Sequence, residues 1–134
     1  METKKIIVNV SWLDNFGACS DSVLGCVATS DTLEGVKQKY AYALQRHING
    51  MIEDETPLPE PLKGSYELVF ELNVQALLHH FDGILTRAAL SRITNINQSQ
   101  LGHYITGSSH PRKEQKVKII NGLHKIGKEL ISVE

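Results

Sequence analysis

Gln98, Ser99, Gln100 and His103 fall within one short amphipathic stretch, with Leu101 and Tyr104 on its apolar side. An amide side chain can bond adenine through two atoms at once, and a hydroxyl is permissive in its partners. Around this stretch stand Thr86, Arg87, Asn97, Ser108, Ser109, Arg112 and Lys113. Side chains of these kinds can bond the oxygens of a bound partner. These residue types suit non-covalent binding, with no bond made or broken.

Other chemistries are poorly served. Hydrolysis by divalent metal needs several carboxylates converging on one or two ions, usually from strand interiors. Here Asn9 stands in the first strand-like run, Asp14 and Asp21 fall in turns, and Asp31 and Glu34 read as a helix cap. Cys19 and Cys26 lie in adjacent strand-like runs, and small buried cysteines are common. His79 and His80 are neighbours that cannot share a helix face, one expected to pack and the other to meet water; His47, His110 and His124 read as surface residues and Trp12 as core. No catalytic residue, metal site or cofactor is expected.

Gln98, Ser99, Gln100 and His103 need a rigid support, and the local signals supply one. Thr86 can cap a helix over residues 87–94, with Leu85 and Leu90 spaced as a hydrophobic staple. Asn97 can cap a second helix over 98–106, with Gln100 at its third position and Ile96 and Leu101 as a second staple. Asn95 between them suits a left-handed turn, and Gly107 suits a C-terminal cap. Counting Arg87 as first, the fourth, eighth, tenth, fifteenth and eighteenth positions are Leu90, Thr94, Ile96, Leu101 and Tyr104, and the fifth is small Ser91. Gly102 in mid-helix costs about 1 kcal/mol relative to alanine, so a close approach is expected there. After Pro111, assigned to a helix's first turn, Val117, Ile120, Leu123, Ile126 and Leu130 repeat at threes and fours; a break or bend is expected near Asn121 and Gly122, and leftover apolar surface is a candidate dimer contact.

The run T-R-A-A-L-S-R-I-T-N-I-N-Q-S-Q-L-G-H-Y-I-T-G, Thr86 to Gly107, resembles the helix-turn-helix of the Cro and CI repressor family, also called the XRE family. It differs in having Asn95 and Ser91 where that family prefers glycine and alanine. The resemblance implies that the second helix lies in the major groove of double-stranded DNA with Gln98, Ser99, Gln100 and His103 at base edges, that Thr86, Arg87, Ser108, Ser109, Arg112 and Lys113 hold phosphates, which sets register without sequence information, and that a dimer meets an inverted-repeat operator.

The first half is organised differently. Residues 4–13 alternate as a strand, 16–19 and 23–29 read as two more, and the Asp31/Glu34 spacing starts a helix carrying Leu33, Val36, Tyr40, Leu44, Ile48 and Met51 on one stripe. Pro57, Pro59 and Pro61 make 56–64 extended, and a fourth strand is expected over 66–70. The period then turns helical, with Leu77, Leu78, Phe81, Ile84 and Leu85. The expected fold class is α+β: a β-β-β-α-β domain, 1–71, followed by an all-α helix-turn-helix domain, 72–134. Two units this small are expected to gain from packing or oligomerisation.

The run V-L-G-C-V-A-T-S-D-T-L-E-G, Val23 to Gly35, a helix of about 20 residues, and then E-T-P-L-P-E-P, Glu55 to Pro61, resemble the HicB antitoxin family. Leu24 stands where that family usually has proline. The resemblance implies a degraded ribonuclease H-like N-terminal fold, a small HicA-type ribonuclease toxin as partner, and repression of the chain's own operon. A solitary regulator whose N-terminal domain only dimerises or binds a ligand is the alternative.

The whole chain has 134 residues and a formal charge of −1. That total is a sum of opposites: residues 1–85 hold 6 basic and 12 acidic side chains, residues 86–128 hold 8 and 1, and the last six residues add −2. The basic excess coincides with the DNA motif, and the acidic half suits a basic protein partner. No apolar run approaches the roughly 18 residues of a membrane span. Met1 to Lys5 lead straight into a strand-like run, so no signal peptide is expected, and the setting is cytoplasmic with both cysteines reduced.

Overall fold

The computed structural model describes residues 3–134; Met1 and Glu2, the start of the segment read for a leader, lie outside them. The chain divides into two compact units, Met1–Asn73 and Val74–Glu134. Among the described residues no helix is long and apolar enough to cross a membrane.

Unit 1 contains β1 (Lys4–Leu13), β2 (Asn15–Ser20), β3 (Val23–Ser30), α1 (Leu33–Glu53) and β4 (Tyr66–Leu72). The strands form one mixed sheet in the order β3-β2-β1-β4. β1 runs antiparallel to β2, with Val10 opposite Ala18, and parallel to β4, with Ile6 opposite Leu68 and Val8 opposite Phe70. A parallel partner cannot be reached by a hairpin, so the chain must cross the sheet, and α1 is that crossover. Alternation places Ile6, Val8 and Val10 of β1, and Phe16 and Ala18 of β2, in the core. Leu33, Val36, Tyr40, Leu44 and Ile48 of α1 cover them. Tyr40 meets Phe70 edge to face at 6.4 Å, which ties α1 to the edge strand β4.

The Tyr40 side chain is fully enclosed. Its hydroxyl faces the Cys26 thiol and Ser20 but makes no hydrogen bond of good geometry. Burial pushes Tyr40 up to about 12, with the charge of Cys26 adding, and burial also pushes the Cys26 thiol up.

Several details differ from expectation. α1 is capped by Thr32, whose Oγ1 accepts from the Gly35 amide at 3.0 Å. Asp31 lies one residue too early, and Glu34, in the first turn, faces Lys37 at 3.9 Å. The proline string is not wholly extended: Glu60–Leu62 forms a 3-10 turn that buries Leu62. Lys4 Nζ donates to the Glu60 carbonyl at 2.6 Å, and Lys4, then Lys63, hold the Glu60 carboxyl below its usual range. Trp12 is half-buried at the end of β1, and Cys19 is exposed, because β2 turns Cys19 to the face away from α1.

Unit 2 contains α2 (Val74–Phe81), α3 (Arg87–Thr94), α4 (Gln98–Thr106) and α5 (Lys113–Ile131). Its core is Leu78, Leu90, Ile96, Leu101, Tyr104, Ile105 and Ile119, with Val74, Leu85 and Leu123 against it. Ile84, expected to continue the helical period, lies in the turn after α2 and is exposed. Pro111 is buried ahead of α5 and not in its first turn, since Arg112 is the N-cap. α5 is continuous through Asn121 and Gly122. The glycine marks a close approach: a Cβ at residue 122 would lie 2.5 Å from the Ile93 carbonyl oxygen of α3. That contact turns Ile119 into the core and leaves Val117 and Ile120 exposed, outside the face their spacing suggested.

Candidate functional site

The local chemistry of α3 and α4 sets their geometry. Thr86, in extended backbone at φ −66° and ψ 155°, accepts through its hydroxyl from the Ala89 amide and starts α3. Asn97 repeats the device, its Oδ1 accepting from the Gln100 amide at 2.8 Å. Between them Asn95 adopts φ 61° and ψ 32°, and its amide donates to the Ser91 carbonyl. A left-handed residue reverses the chain within one step, and asparagine tolerates it because its side chain is short and polar. Gly107, at φ 84°, closes α4 in the same conformation.

Leu90, Thr94, Ile96, Leu101 and Tyr104 are all buried. Thr94, a polar residue in the core, donates to the Leu90 carbonyl at 2.7 Å, so its hydroxyl is satisfied. Gln75 of α2 donates to the carbonyls of Tyr104 and Ile105, which anchors the end of α4.

With that side of α4 sealed, its other side is open. Gln98, Ser99 and His103 are exposed, as are Thr86, Arg87, Asn97, Ser108, Arg112 and Lys113. Gln100 and Ser109 are half-buried. The Gln100 amide group donates to Ser109 Oγ at 3.4 Å. His103 Nδ1 lies 3.0 Å from Ser108 Oγ. The loop after Gly107 thus braces two of the four expected reading residues.

Beside this surface lies a shallow cleft of about 450 Å³ whose lining includes Asn97, Gln100, Ser109, His110, Arg112 and Gln115. It is polar, carries the Arg112 cation, and receives the starts of α4 and α5, whose free amides favour an anion. His110 and Gln115 were not among the expected site residues. A histidine between Ser109 and Arg112 in a basic segment was the available signal for the first.

Asp82 was missed as well. Its Oδ1 lies 3.7 Å from Arg87 Nε, with both side chains partly exposed. Gly102 is buried, and a Cβ there would stand 2.8 Å from Arg87 Nη1. The expected close approach at this glycine is therefore made by an arginine from α3.

The acidic residues considered for metal chemistry, Asp14, Asp21, Asp31 and Glu34, are exposed at separate places on unit 1. Among the described residues no three of His, Cys, Asp and Glu gather where a metal ion could sit. His79 and His80 are both half-buried. Comparison with protein-family models, with curated proteins and with solved structures finds no match to this chain.

Proposed function

We propose that the chain is a HicB-type antitoxin that also represses transcription, with Val74–Glu134 acting as a Cro/CI-type helix-turn-helix on an inverted-repeat operator. The observation that carries the reading is the α3-turn-α4 geometry. Two side-chain caps, a left-handed Asn95 and five interior residues seal one side of α4 and leave Gln98, at its start, and Ser99 and His103 exposed. In this reading α4 enters the major groove, and Arg87, Arg112, Lys113 and the serines after Gly107 hold phosphates. Charge supports it: unit 1 has 6 basic and 11 acidic side chains, and unit 2 has 8 and 4.

Unit 1 is read as the degraded ribonuclease H-like domain, from its β-β-β-α-β order and parallel β1–β4 pair, and it is assigned no catalytic residue. Its acidic surface suits a small basic ribonuclease as partner. A cytoplasmic setting goes with this role. The dimer needed for an inverted repeat has a natural surface on α5, where Val117, Ile120 and Ile131 are exposed on one stripe.

A gel-shift titration on the chain's own promoter tests the DNA role. Wild type should bind an inverted repeat with half-sites one helical turn, or a multiple, apart. Gln98→Ala should lose about 1–3 kcal/mol of sequence discrimination. Arg112→Ala should weaken every sequence alike and lower the salt slope by about 1. If both variants bind as wild type does, the helix-turn-helix reading goes. Co-expression with the adjacent short open reading frame tests the other half; if no complex forms, the antitoxin assignment goes and a solitary regulator is left.

A further inference from the structure

Arg87 is the first residue of α3, and a cation at a helix N-terminus opposes the helix dipole. Its position does not serve local stability. Its one ion-pair partner among the described residues is Asp82, at 3.7 Å, and the two side chains are 43% and 38% exposed. Such a half-exposed pair adds little to folding stability, and it engages only the Nε edge of the guanidinium.

The other end of that side chain occupies space that a side chain on α4 would need. Gly102 is buried in mid-helix, where glycine is unfavourable, and Nη1 of Arg87 lies 2.8 Å from the site of its missing Cβ. One helical turn before Gly102 stand Gln98 and Ser99, both exposed. The guanidinium is thus seated beside the proposed reading face, in a notch that exists only because residue 102 has no side chain.

We infer that Gly102 and Asp82 together position Arg87 as a pre-oriented contact to a DNA backbone phosphate, and that glycine at 102 is kept for this seat and not for helix stability. The inference rests on the DNA-binding reading above and deepens it. Holding a planar guanidinium in one orientation before binding reduces the ordering cost when a phosphate oxygen arrives. Gly102 and Asp82 are positioning residues; Arg87 is the contact.

The test uses the full chain and a fluorescein-labelled 30-base-pair duplex of random sequence, because a phosphate contact is independent of sequence. Affinity is measured by anisotropy across a salt series, and unfolding by thermal melt. Arg87→Met should weaken binding roughly ten-fold, as expected for one charge-assisted hydrogen bond, and make the salt slope shallower by about 1. Gly102→Ala should do nearly the same while the unfolding midpoint holds or rises by roughly 4 °C, since alanine favours the helix and only a flexible side-chain end must move. The double variant Arg87→Met/Gly102→Ala should bind no more weakly than Arg87→Met alone. Asp82→Asn should fall between wild type and Arg87→Met.

A role confined to folding would move the melt and leave the salt slope unchanged, which overturns the inference. So does a double variant whose loss is the product of the two single losses, or a Gly102→Ala protein that binds as wild type does. If Gly102→Ala fails to fold, the seat is not an open notch and the inference is overturned on that ground. Unchanged binding and salt slope in Arg87→Met overturns it independently. Wild-type protein that does not bind the duplex at all removes the DNA-binding reading itself, a result distinct from each of these.

Discussion

α1 and α5 are similar in length, 21 and 19 residues, and both carry apolar residues at threes and fours. α1 buries Leu33, Val36, Tyr40, Leu44 and Ile48, a complete stripe along its length. α5 buries only Ile119 and leaves Val117, Ile120, Leu130 and Ile131 exposed. The difference lies in what each helix faces. A four-stranded sheet presents a surface as long as α1 and covers every turn of it. Three short helices present only a patch to α5, and the close contact of Gly122 with Ile93 selects which side of α5 meets that patch. Periodicity therefore reports that a face is apolar, and the partner decides how much of it is covered. The uncovered part of α5 is the surface that the proposed dimer uses.

The sharpest way to break this contrast is to truncate one residue from each helix. Leu44→Ala, at a fully enclosed position, should lose about 2–5 kcal/mol in urea unfolding. Ile131→Ala, at an 84% exposed position, should stay within about 0.5 kcal/mol. Equal losses would mean that α5 is as enclosed as α1. Sedimentation adds a second readout: Ile120→Asp should shift the protein toward monomer if the α5 stripe pairs two copies.

A smaller effect separates the glycines of α5. Gly122→Ala forces a Cβ to within 2.5 Å of a backbone oxygen, and neither backbone yields easily, so a loss of about 1–3 kcal/mol is expected. Gly127→Ala meets nothing within 4 Å and should be neutral or stabilising by up to about 1 kcal/mol. The same sign at both positions in a melting series would contradict the packing described for Ile93.

For α1, Thr32→Ala should cost about 1 kcal/mol, and Asp31→Ala close to nothing. The reverse ranking would restore Asp31 as the cap.

The last effect is confined to strong alkali. Tyr40 is raised to about 12 in the folded state, from a usual value near 10. Its folded form holds the proton more tightly, so this contribution is fully present below pH 10 and is lost as pH rises through about 12. The alkaline unfolding limb, measured by circular dichroism, should be less steep in Tyr40→Phe, which has no proton to lose.

Much of the candidate site was legible because its determinants are local. Thr86, Asn95 and Asn97 act on backbone groups within four residues, Gly107 takes the left-handed conformation its type allows, and each does what its spacing predicts. The Asp31 reading failed within the same rules, because a hydroxyl and a carboxylate stood side by side and only the backbone decides which is the half-helical residue. Gln100 was placed at the right helical position, but its half-buried side chain answers to Ser109, nine residues on. Asp82 carried no signal, since its partner Arg87 lies across the turn that starts with Gly83.

Local chemistry was enough to read most of the elements, the mixed α+β class, the helix caps and turn of 86–107, and the separation of acidic and basic halves. These follow from side-chain periodicity, from hydrogen bonds that close over three or four residues, and from counting charges. Long-range packing set the rest: that β4 lies beside β1, which face of α5 is buried, and that Arg87 fills the space left at Gly102. Each of those depends on surfaces brought together from distant parts of a unit, where shape and volume choose among alternatives that local chemistry leaves equal.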